Sequence, residues 1–75
     1  MIHVGEQIRA LLHSQGRTVT WLASQLNCTR VNVYNIFKHS SIEVGMLMRI
    51  SLLLGHDFFK DMSDIYKKEQ QHRLQ

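Results

Sequence analysis

The stretch "VTWLASQLNCTRVNVYNIFK", Val19 to Lys38, decides how this chain folds. Val19, Leu22, Ala23 and Leu26 share one face of a helix, and Thr18 before them suits an N-cap. "NCT" then breaks the pattern. Asn27 tolerates a left-handed backbone, and Thr29 suits the cap of a second helix. The spacing predicts one helix over 19–26 and the next over 30–38. On a wheel of about 100° per residue, Val33 and Ile36 point to one side, with Cys28 and Thr29 nearby. Val31, Tyr34, Asn35 and Lys38 point to the other, and Arg30 and Phe37 fall at the edge. A face that only needed solubility would more often carry Glu, Lys and Gln. This one has no acid and mixes Arg, Asn, Tyr and Lys. Such groups donate paired hydrogen bonds to base edges, contact phosphates, or pack on sugars and thymine methyls.

Outward from this stretch the pattern stays helical. Val4, Ile8, Leu11 and Leu12 predict a first helix over about 3–15, stopped by Gly16. A fourth helix is expected over about 43–54. It carries Val44, Met46, Leu47, Met48, Ile50, Leu52, Leu53 and Leu54, is apolar nearly all round, and reads as the central buried helix. Gly55 ends it. Phe58, Phe59, Met62 and Ile65 mark a fifth helix over about 57–66, after which "KKEQQHRLQ" either extends it or frays. No strand pattern occurs. The expected fold is all-α, a compact five-helix domain with short connections.

The 75 residues fit one domain with a small core, too small for a deep catalytic cleft and the scaffold to hold it. The apolar share of 44% is ordinary for a globular protein. No apolar run approaches the roughly 18 residues of a membrane span, and the first ten residues lack the pattern of a signal peptide. With Cys28 the only cysteine, a cytoplasmic location is the default expectation. The net charge of +3 is unevenly placed. Between Glu6 and Glu43 there is no acid, yet Arg9, Arg17, Arg30 and Lys38 lie there. From Glu43 onward five acids balance five bases. A polyanion-binding half and a neutral support half would be built this way.

The apolar spacing Val19, Leu22, Ala23, Leu26, Cys28, Val33, Ile36 resembles the helix-turn-helix of phage repressor-like regulators, the lambda repressor/Cro or XRE type. Ala23 stands at the small-residue site where the two helices cross, and Asn27 at the turn site, most often Gly in that family. "IRALLHSQG" looks like the family's first helix, and "LMRISLLLGHDFF" like its fourth and the start of its fifth. The resemblance covers about 4–62, most of the chain. It departs from the family at Val19, where a DNA-anchoring Gln is common. It departs again at "FKHSS", which replaces an acid near Phe37 and a following Gly.

The resemblance implies a sequence-specific double-stranded DNA-binding transcriptional regulator that is not an enzyme and needs no cofactor or metal. The DNA-binding domain would span 1–66, with 67–75 a polar tail or helix extension. The third helix would enter the major groove, with Arg30, Val31, Tyr34, Asn35 and Lys38 facing bases and nearby backbone. Arg17, Thr18, Thr20, Ser24, Thr29 and Asn32 would complete the contact set, chiefly at phosphates. A homodimer joined through the C-terminal helix is expected, using Phe58, Phe59, Met62, Ile65 and Tyr66. The alternative is a protein-interaction module on the same scaffold, such as an antitoxin or bridging factor, contacting its protein partner through Trp21 and the last helix. His3, His13, His39, His56 and His72 are scattered without metal-ligand spacing, and Cys28 reads as a core thiol. No catalytic set or phosphate-cradling glycine loop stands out.

Overall fold

The computed structural model describes residues 2–74, which form five helices and, among these residues, no strand. They are α1 (Val4–Ser14), α2 (Val19–Leu26), α3 (Arg30–Lys38), α4 (Val44–Leu54) and α5 (Phe58–Leu74). Each boundary has a local cause. The Thr18 hydroxyl accepts a hydrogen bond from the Trp21 N–H at 3.0 Å, and that of Thr29 accepts from the Asn32 N–H at 3.2 Å. Both satisfy donors that a helix start leaves orphaned. Between them Asn27 sits in the left-handed region at φ 55° and ψ 47°, as the sequence predicts. It ends α2, and the next N–H, that of Cys28, donates to the Ala23 carbonyl at 2.9 Å. The expected starts of α1, α4 and α5 fall one residue early. His3, Glu43 and Asp57 are not in the helices; each caps one, accepting from the N–H of Glu6, Gly45 and Lys60 respectively.

One apolar cluster holds the helices together. Its four fully buried side chains are Ile8, Leu22, Val33 and Ile50, one from each of α1 to α4. Ala23 is 4% exposed where α2 meets α3, so a larger side chain there has no free volume to enter. Phe37, placed at the edge of α3 by the helical wheel, is buried, while Ile36 is only partly so. Cys28 is half-buried against the cluster. Gln15 at the end of α1 donates its side-chain amide to the Leu54 carbonyl at 2.7 Å, tying the ends of α1 and α4.

The exit from α3 is clamped onto the start of α1. The N–H groups of Val4 and Gly5 donate to the carbonyls of Ser40 and His39, each at 3.0 Å. The approach requires glycine. A Cβ at position 5 would collide with the Ile36 carbonyl and stand 2.5 and 2.6 Å from those of Phe37 and His39. The chain leaves α3 in extended conformation at His39, whose ring Nδ1–H donates to the Asn35 carbonyl at 2.6 Å.

Two expectations need correction. α4 is not a central buried helix. Leu47, Ile50, Ser51 and Leu54 are buried, but Val44, Met48 and Leu52 are 67%, 48% and 75% exposed. The cause is scale: α4 packs on α1 and α2, and no element covers its far side. α5, in turn, offers less free apolar surface than its sequence suggests. Phe58 is buried, Phe59 and Met62 pack against the core, and Tyr66 is largely exposed. The tail continues α5 as helix to Leu74; Gln75 and Met1 lie outside the described residues. From Tyr66 to His72 every side chain of α5 is exposed, which draws the molecule out to 45 × 21 × 20 Å.

Candidate nucleic-acid interface

α3 is pinned from beneath by Val33 and Phe37, and this orients everything else it carries. Arg30, Val31, Asn32, Tyr34, Asn35 and Lys38 are all exposed. Positions 31, 34, 35 and 38 follow the spacing of one helical face. Val31 and Tyr34 are 66% and 52% exposed, so two apolar groups stand in solvent among the polar ones. The ring of Tyr34 meets Phe37 edge-on, with centroids 6.1 Å apart, which holds it on the α3 surface while about half of the residue stays exposed.

Beside this face, α1, α2 and α3 enclose an open cleft of ≈ 640 Å³. Leu12, Val19, Tyr34 and Phe37 contribute its apolar walls, and Arg9, His13, Arg17 and Lys38 its basic groups; no acid lines it. Arg17 is held there. Its guanidinium lies 3.9 Å above the Trp21 ring, so the indole packs on the core and carries a cation on its outer side. Among the described residues the ion pairs are His56–Asp61 and Lys60–Asp64. Arg9, Arg17, Arg30 and Lys38 are therefore paired with no carboxylate among the described residues. Thr18 and Thr29 use their oxygens as acceptors for the caps, and a hydroxyl doing so still has its own O–H to donate.

The eleven residues expected at the interface are all exposed. The cleft brings together Arg17 and Thr18 from the α1–α2 connection with Tyr34 and Lys38 from α3. Arg30, Val31 and Asn35 share α3 with the last two. Thr20 and Ser24 lie on the outer side of α2 and do not line the cleft. The sequence reading missed Arg9 and His13 as members of this surface. Their spacing of four on α1, away from Ile8 and Leu12, was the available signal.

No protein-family model, characterised protein or solved structure matches the chain. The surface must then be judged on its chemistry. It offers guanidinium, ammonium, amide and hydroxyl donors around small apolar patches, and no carboxylate lines the cleft. No group of three or more potential metal ligands occurs among the described residues. None of their helices is long and apolar enough to cross a membrane.

Proposed function

We propose that the chain is a DNA-binding domain of the lambda repressor-like helix-turn-helix class, acting as a transcriptional regulator. α2 and α3 form the motif, and α3 enters the major groove. The observation that carries this reading is the outer face of α3 together with the cleft beside it: polar donors and free cations, with no acid among them. α3 has 9 residues, so it is about 13 Å long. A major groove about 12 Å wide admits such a helix. Arg30 and Asn35 suit base edges, since their donor pairs match guanine and adenine respectively. Val31 and Tyr34 suit sugar and thymine-methyl contacts. Arg9, Arg17 and Lys38, with the hydroxyls of Thr18 and Thr29, suit the phosphates on either side.

A single small module buries only about 600–1,000 Å² on DNA, which rarely gives genomic selectivity. A homodimer on two half-sites about 34 Å apart answers that need. The protein-interaction alternative relied on Trp21 together with the exposed part of the last helix. The Trp21 ring is half-buried and covered by Arg17, which takes away the first half of that surface and leaves the last helix. Selection of bound sequences from a random duplex pool tests the proposal: a two-fold symmetric consensus is expected, and recovery of no preferred sequence would count against it.

A further inference from the structure

Among the described residues six large apolar side chains are exposed, and three of them, Val44, Met48 and Leu52, fall on one helix. Spaced by four, they keep to a narrow stripe along α4, about 12 Å from end to end. No charge interrupts the stripe; Arg49 lies on its flank. Half to three-quarters exposed, the three present roughly 300 Å² of apolar surface, the scale at which a patch on a monomer is commonly functional.

Beside the stripe is a groove of ≈ 450 Å³ lined by Met48, Ser51, Leu52, Gly55, His56 and Asp57. Ser51 is 8% exposed, and its hydroxyl has no hydrogen-bond partner. A helical serine can return its O–H to the carbonyl four residues back, and this one does not. The groove wall therefore holds an unmet donor and acceptor. Leu52, the most exposed apolar residue of the stripe, projects at the groove's own edge. A projection next to a recess on one face is what a two-fold interface needs, because the same patch must be its own complement.

We propose that the outer face of α4, with the groove at its C-terminal end, is the contact between two copies of this chain, related by a two-fold axis that passes beside Met48. Met48 of one copy then faces Met48 of the other. Antiparallel helices place each copy's Val44 by the other's Leu52 and groove. The area favours a second copy over an unrelated protein. The stripe is well short of the about 800 Å² per partner of a standard stable interface. So small a contact works between molecules already held side by side, where effective concentration is high. Two copies on adjacent half-sites are so held; to that extent the proposal rests on the DNA reading, while the contact itself does not.

The test uses the full chain without DNA, so its outcome is separate from that of DNA binding. Sedimentation from about 5 to 500 µM brackets a contact with Kd on the order of tens to hundreds of micromolar. The native chain should pass from monomer to dimer across this range. Met48→Glu and Met48→Lys should each stay monomeric with unchanged helical melting curves, and a one-to-one mixture of the two should dimerise again. Tyr66→Glu, on α5, should dimerise like the native chain. The proposal is overturned if the native chain stays monomeric at the highest concentration, if Met48→Glu still dimerises, if the mixture fails to associate, or if Tyr66→Glu is the variant that dissociates.

Discussion

The outer faces of α3 and α4 are both uncovered by the rest of the molecule, and both expose apolar side chains. On α3, Val31 and Tyr34 sit among Arg30, Asn35 and Lys38. On α4, Val44, Met48 and Leu52 stand in a row with only Arg49 at the side. The first mixture keeps its charges hydrated and suits a wet, polyanionic partner. The second has little that needs water and suits a dry contact. Exposure alone therefore says that a face is free; the polar groups between the apolar ones say for what. The two faces also differ in how they are held. α3 depends on a backbone clamp with α1 and a crossing with α2, whereas α4 is held by its buried side and by the Gln15 amide at its C-terminal end.

The largest expected effect removes both faces together. Gly5→Ala drives a methyl into the carbonyls of Ile36, Phe37 and His39, none of which can swing aside as a side chain could. We expect a loss of about 3 kcal/mol or more, at the upper end for overpacking, out of roughly 4–11 kcal/mol for a domain of this size. Thermal denaturation followed by circular dichroism checks it; a melting curve like that of the native chain would show that α3 is not held by this clamp. Next comes Ala23→Leu, which crowds the α2–α3 crossing alone and should cost about 1–3 kcal/mol. If that variant melted normally, the crossing would be looser than the 4% exposure of Ala23 indicates.

A smaller effect, confined to one face, is expected of Arg30→Ala and Asn35→Ala. Both side chains are exposed, so the fold should be unchanged. Each should weaken binding to the preferred duplex by about 1–3 kcal/mol and relax selectivity at one base pair. Equal losses on preferred and random duplex would move these residues from base to phosphate contacts.

How far the sequence carried this picture differs by region. α2 and α3 were legible to the residue, because Thr18, Asn27 and Thr29 act through local backbone chemistry. The starts of α1, α4 and α5 were misplaced by one residue because His3, Glu43 and Asp57 could equally begin a helix or cap it. The need for glycine at position 5 was not legible, since it arises from carbonyls more than thirty residues away. Nor was the bare side of α4, because hydrophobicity records what could be buried and not what is there to bury it. At the candidate site, the α3 face was visible from periodicity. The cleft needed three helices assembled before Arg9 and His13 joined Arg17 and Lys38.

The central claim is that the outer face of α3 and the cleft beside it meet duplex DNA through its phosphates and bases. Its most direct test is the salt dependence of binding to a random duplex. With roughly 3 to 5 phosphates neutralised per domain, log K should fall against log salt concentration with a slope of about −3 to −4.5. No binding at low salt, or binding that does not change with salt, would contradict the account.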